Sequence, residues 1–417
     1  MATPGPKISP RPAPKLTLPA SNNIVLVRAI DTESKLVCNA DALVQPIIVG
    51  HEKLNLTTMC FLIEHEVVGG GATEYVLFDC GLRKDFWNTT PDTQRKIGSF
   101  VPGMDVRRGV DEILVDQGFD LSDLKAMVWS HWHWDHIGDG AKYPSSTDIV
   151  VGPGFTENFV PGWPEDPNGR VPSSSLQGHR IHEPDFPLEI GGFAAHDYFG
   201  DGSFYLFDVP VHAVGHISAL ARTTPDSFIF MGGDCSHYAG MLRPTEYIPM
   251  PSTIPPGQLD AYYPPMCPCS VFTALHPMAS GTATIGNGSD HRKAPSDDAR
   301  SNPFYDVSRR PHGAYEFGDL AQESLDKVKL LDAQPNVFVC LAHDRALMEI
   351  LPLYNNNVDA VINDWNNCGY KEKTRWGFLN ELPRDGKPGR PLLTEGLWRD
   401  GNEIVWKDGE GLVELTS

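Results

Sequence analysis

No apolar run in the 417 residues is long enough to span a bilayer. Residues 1–20 are rich in proline and lack the apolar core of a signal peptide. Residues 1–22 therefore read as a disordered Pro-rich arm, and the chain as cytoplasmic. Basic residues are scarce, 34 Lys and Arg against 54 Asp and Glu, for a net charge of −20. Such a surface repels phosphate backbones and anionic lipid, which argues against nucleic acid and membranes as partners and leaves a small molecule. Nothing in the sequence reports an oligomeric state. The eight cysteines show no framework spacing, so they read as reduced thiols; Cys267 and Cys269 read as two loop thiols. No G-x-S-x-G elbow is present, which removes the serine-hydrolase reading.

What the chain does have is dense ligand chemistry. Ser130, His131, Trp132, His133, Trp134, Asp135 and His136 follow the apolar run 126–129. Three histidines and an aspartate thus fall within six residues. In an extended segment alternate side chains share a face, so His131 and His133 can point together. A turn after them can bring Asp135 and His136 in from another angle. Imidazole and carboxylate suit zinc, and also iron, manganese and cobalt. Trp132 and Trp134 read as packing beneath the site.

Periodicity gives strands at 23–30, 59–65, 75–79, 126–130, 148–151, 204–209 and 337–341, with a hairpin over 219–231. Helices are expected at 106–117, closed by Gly118, and at 319–332, where Leu320, Ser324, Leu325, Val328 and Leu331 form a stripe. The class is α/β. Residues 155–186 read as a long loop in which Phe155, Phe159 and Trp163 could wall a pocket. Residues 249–312 read as a second insertion, a lid or pocket wall, holding Tyr262 and Tyr263. His276, His291 and His312, in or near it, read as surface histidines. Residues 23–417 are expected to form one domain with a C-terminal extension.

The segment 131–136 is the H-x-H-x-D-H signature of the metallo-β-lactamase superfamily, which the chain resembles. That resemblance implies an αββα sandwich with long loop insertions. It implies metal ligands at His131, His133 and His216 for one ion, and at Asp135, His136 and His343 for a second, with Asp234 bridging. His212 then falls at a supporting position, as does Asp79. The implied cofactors are two divalent ions, expected to be Zn2+, whose shared hydroxide attacks a carbonyl. Asp135 or Asp234 would pass the proton to the leaving group. The run 342–344 resembles the lactonase-like branch, related to the acyl-homoserine lactonases. There a tyrosine lies three residues after the bridging aspartate; here that position is His237, an oxyanion donor or acid, with Tyr238 beside it as a pocket residue.

The expected activity is opening of a small lactone, lactam or cyclic carbamate. Two other readings share part of the ligand set: a glyoxalase II-like or acyl-carrier thioesterase, and a mononuclear iron persulfide dioxygenase.

Overall fold

In the computed structural model, residues 8–66, 70–210, 212–279, 284–285, 299–311 and 313–415 are described. His291 and His312 lie outside them.

Two six-stranded sheets face each other. The first runs Leu26–Asp31, Met59–His65, Glu74–Phe78, Leu124–Val128, Asp148–Val150, Ile181–His182. The second runs Leu188–Ile190, Phe193–Asp197, Phe204–Asp208, Ile217–Thr224, Ser227–Met231, Val337–Cys340. Alternation along each strand assigns the layers. Phe204 and Leu206 point into the space between the sheets, with Phe61, Val76, Val128 and Phe338. Tyr205 and Phe207 point the other way, into a cluster with Leu325 and Val328 of the helix Gly318–Asp332. On the far side Leu62, Leu77 and Met127 pack with Ile113 and Leu114 of the helix Val110–Asp116. The order helix, sheet, sheet, helix is the αββα sandwich. Truncating a residue such as Leu325 costs about 2–5 kcal/mol by the usual cavity effect.

The strands that carry chemistry end on one edge. Glu74–Phe78, Leu124–Val128 and Asp148–Val150 are mutually parallel, as are Ser227–Met231 and Val337–Cys340. Their carboxyl ends lead directly into Asp79, Ser130, Asp234 and His343.

Several expectations need correction. Residues 8–22 of the expected disordered arm are ordered, with Leu16 and Leu18 packed on the core. Pro14 and Pro19 carbonyls accept from the Gln334 amide and the Arg222 guanidinium. The loop 155–186 contains the short helices Phe155–Phe159 and Ser173–Leu176 and the strand Ile181–His182. The helix expected from 106 begins at Val110, because Gly103–Asp105 is a strand. That strand belongs to a third six-stranded sheet, ordered Gly411–Glu414, Asn402–Lys407, Gly396–Arg399, Gly103–Asp105, Lys35–Asn39, Lys53–Leu56. The C-terminal extension thus supplies three of its strands.

The insertion 249–312 is pinned through Asp306–Val307 on Val44–Gln45 and Thr284–Ile285 on Ile47–Ile48. His276 is buried, not on the surface, and its Nε2 lies 3.0 Å from the Asn302 and Pro303 carbonyls. All eight cysteines are free. No helix among the described residues is long and apolar enough to cross a membrane.

Candidate metal centre

Asp234 is the hinge of the site. It follows Gly233, whose backbone has φ +53° and passes so close to Ser130 that an added Cβ would meet the serine Cβ at 2.9 Å. Its two oxygens face different clusters. Oδ1 lies 3.1 Å from His136 Nε2 and 3.0 Å from His343 Nε2. Oδ2 lies 3.5 Å from His131 Nε2, 3.4 Å from His212 Nε2 and 3.0 Å from His237 Nε2.

Two ligand-type groups result. His131, His133, His212 and Asp234 present donor atoms within 4.8 Å of one another, and so do Asp135, His136, Asp234 and His343. His136 and His343 are placed by hydrogen bonds from their other ring nitrogens. Asp79 holds the first turn: its Oδ1 accepts the Ser130 N–H at 2.7 Å and its Oδ2 accepts from His136 Nδ1 at 2.8 Å. Asp79 does this at φ 60°, a conformation non-glycine residues rarely adopt, which marks local strain spent on aiming a side chain. His343 Nδ1 donates to the Thr57 carbonyl at 2.7 Å, leaving Nε2 to face the site.

The first group differs from the sequence expectation in one member. His131 and His133 are there, but the third imidazole is His212, not His216. His216 has both nitrogens engaged. Its Nε2 accepts the Asp234 N–H at 3.1 Å, and its Nδ1 therefore donates to the Val209 carbonyl at 3.1 Å. The loop explains the exchange. Val209 N–H donates to the His216 carbonyl and His216 N–H to the Ala213 carbonyl, so the chain doubles back, with Gly215 at φ +72°. His212 rides at the tip and reaches the cluster, while His216 is folded beneath Asp234.

The electrostatics fit cations. Burial pushes His131, His133 and His212 well below the usual imidazole range, so they are neutral and can donate lone pairs. Burial also opposes charge on His136, but the carboxylates of Asp234, Asp79 and Asp135 outweigh it and raise its affinity for a proton. A divalent ion placed there would displace that proton. His136 Nε2, His343 Nε2 and Asp234 Oδ1 are buried without a hydrogen bond, although each nitrogen lies about 3 Å from that oxygen. Buried polar atoms are normally paired, so three orphans facing one point fit a shared metal. The donor set of imidazole and carboxylate suits zinc-type ions.

A cavity of about 730 Å³, counting its open mouth, ends on His133, Asp135, His212, Asp234 and His237. Its apolar wall includes Leu43, Leu56, Phe100, Val101, Trp134 and Ala314. His237 is buried, and its Nδ1 lies 2.7 Å from the Tyr315 hydroxyl. Burial, with Asp234 and Cys235 nearby, raises the Tyr315 hydroxyl well above the usual phenol range, so it stays protonated and donates. His237 Nε2 lies 3.0 Å from Asp234 Oδ2, an oxygen that only accepts, which places the ring proton on Nε2 and leaves Nδ1 to accept from the Tyr315 hydroxyl.

The pocket residues expected from sequence do not line this cavity. Tyr238 is buried and its hydroxyl donates to the Phe378 carbonyl at 2.7 Å. Phe155 packs on Trp129 and Phe159 on Trp132. Trp163 is tied by backbone hydrogen bonds to Val171 and Ser173. Tyr262 is 72 % exposed with the Arg384 guanidinium 4.0 Å over its ring, and Tyr263 packs on Phe272. Trp132 lies under the site against the His133 ring, whereas Trp134 is a wall residue. Sequence reasoning missed Tyr315, Lys96 and Glu316, which sit in segments without a motif.

Residues 56–223 match the profile described as the metallo-beta-lactamase superfamily. "Gamma-lactamase FDB1" of Fusarium pseudograminearum is 40% identical over 400 residues, covering 94% of this chain and 89% of that protein. "Metallo-hydrolase mfmC" of Annulohypoxylon moriforme is 38% identical over 386 residues, covering 90% of this chain and 92% of that protein. A crystal structure of a quorum-quenching N-acyl homoserine lactone lactonase aligns at TM-score 0.46 and 15% identity, over 80% of this chain and 98% of the other. With the sandwich and the ligand clusters already in place, the profile match and the Fusarium relative identify the chain as a member of the metallo-beta-lactamase superfamily.

Proposed function

We propose that this protein is a dinuclear metallohydrolase that opens a small cyclic ester, amide or carbamate. The observation that carries the reading is the division of Asp234, one oxygen to each ligand cluster, at the floor of the apolar cavity. His131, His133 and His212 would hold one ion, Asp135, His136 and His343 the other, with Asp234 shared. Two divalent ions so held supply a hydroxide-strength nucleophile near neutral pH and polarise the scissile carbonyl.

The chain's own residues do the rest. Leu43, Leu56, Phe100 and Trp134 exclude bulk water and accept an apolar ring. His237, its proton fixed on Nε2 by Tyr315, donates a hydrogen bond to the carbonyl oxygen as negative charge develops there. Asp135, whose carboxyl is raised by burial despite the nearby His136, takes a proton and returns it to the leaving oxygen or nitrogen. The names of the relatives, a gamma-lactamase and a metallo-hydrolase, support the same reaction class.

The test is metal content of the purified protein together with hydrolysis of a γ-lactone, an acyl-homoserine lactone, a benzoxazolinone and a thioester. About two metal ions per chain and opening of one ring, lost on chelation, is the expected result. One iron per chain and no hydrolysis would refute it, and cleavage of the thioester alone would move the protein to the thioesterase reading.

A further inference from the structure

The cavity is apolar apart from the metal centre and two charged side chains at its side, Lys96 and Glu316. These two are not equivalent. Glu316 is matched: its Oε1 lies 2.6 Å from the Arg170 guanidinium. Lys96 is paired more loosely: its ammonium lies 3.6 Å from the Asp92 carboxylate one helical turn away, with Glu316 also within electrostatic reach. The ammonium sits 4.8 Å from the centre of the Trp132 ring, a cation–π contact that holds it against the wall of the cavity.

The helix Pro91–Phe100 explains the placement. Lys96 and Phe100 are four residues apart, so they share a helix face, and both line the cavity. Only 30 % of the Lys96 side chain is exposed. Burial and the nearby Arg170 lower its proton affinity, only partly offset by Asp92 and Glu316, so an added negative charge would stabilise the ammonium. In a chain of net charge −20, a cation in an apolar wall beside a reactive centre is a selective feature rather than a solvated surface.

We propose that Lys96 sets the specificity of this site by receiving an anionic oxygen of the substrate, a carboxylate or phenolate remote from the scissile carbonyl. The substrate class narrows accordingly, to a compact, largely apolar lactone or lactam that carries one acidic group. This rests on the hydrolase reading above, and concerns only which ring is chosen.

The experiment uses the metal-loaded protein with dihydrocoumarin and its 6-carboxylate as a matched pair. The kcat/KM ratio of the acid to the neutral lactone is measured for wild type, Lys96→Met and Lys96→Arg. Binding of the ring-opened diacid is measured in parallel by calorimetry. In wild type the ratio should favour the acid by about tenfold, the scale of one charge-assisted hydrogen bond. Lys96→Met should abolish that preference through KM and weaken diacid binding about tenfold, and Lys96→Arg should restore most of both. A wild-type ratio near one, an equal loss on both lactones in Lys96→Met, or undiminished diacid binding by that variant would each overturn the proposal. If wild type opened neither lactone yet bound the diacid in a Lys96-dependent way, the reaction would be wrong and the anion site would stand.

Discussion

Replacing His212 and His216 separately distinguishes the geometry from the motif. His212 Nε2 belongs to a group whose donor atoms lie within 4.8 Å of one another, whereas both nitrogens of His216 are used in support of Asp234 and Val209. Binding of a zinc-type ion by four protein ligands is worth about 10–16 kcal/mol, or about 2.5–4 kcal/mol per ligand if shared evenly. His212→Ala should therefore weaken the first ion by roughly two to three powers of ten. After dialysis against a mild chelator it should keep about one metal per chain. His216→Ala removes an acceptor beneath Asp234, an outer-layer change that typically costs about 10–100-fold in affinity. It should keep close to two metals before chelation and lose them at lower chelator concentration than wild type. Elemental analysis with chelator competition reads both. A His212→Ala protein that held two ions as tightly as wild type, beside a His216→Ala protein that held one, would refute the assignment and restore His216 as ligand.

Three further outcomes follow from the same coordinates. Asp79→Asn keeps the shape but presents an amide where His136 Nδ1 now donates, so metal affinity should fall about 10–100-fold by chelator competition; unchanged affinity would remove Asp79 from the support of the site. Tyr315→Phe frees the His237 tautomer, and kcat should fall about tenfold with metal content unchanged; a loss of metal instead would make Tyr315 structural. Arg243 and Asp332 form a buried pair with contacts of 2.7 Å, and Arg243→Met should cost about 3–5 kcal/mol in urea unfolding. Burial pushes the Asp332 carboxyl up, but the Arg243 guanidinium outweighs it and holds the group below its usual 3.8. Since the native value is depressed, the pair's contribution is present above pH 3.8 and lost as pH falls through the native value, so the gap between wild type and variant should close in acid. A gap that stayed constant down to about pH 2 would show that the pair is not the source.

The sandwich and most of the residues that gather in the ligand-type clusters were legible because both are written locally. A strand with period-two burial is visible in its own residues, and His131, His133, Asp135 and His136 sit within one turn of chain. His136 needs Asp79, and His343 needs the Thr57 carbonyl, but each lies at the end of a readable strand. What failed is what depends on loop path. His212 and His216 are four residues apart, and only the return of the chain through Gly215 decides which imidazole reaches Asp234. The cavity wall is further from legibility. Leu56 lies on the strand Lys53–Leu56 and Cys38 on Lys35–Asn39, edge partners in a sheet whose other strands include Gly396–Arg399. Pairing between Gly103 and Gly396 has no short-range signal, because neither strand is long enough to carry a period. Aromatic residues are a poor guide for the same reason. Phe155 and Tyr238 look like pocket residues by type, but large rings are equally suited to packing in the core, and here that is their use. The ligand-type residues His131, His133, Asp135 and His136 thus lie near one another in sequence, whereas Lys96, Phe100, Trp134 and Tyr315 around the cavity meet only through the fold. Relatives that share the ligand motif can therefore differ in substrate without any change in the motif itself.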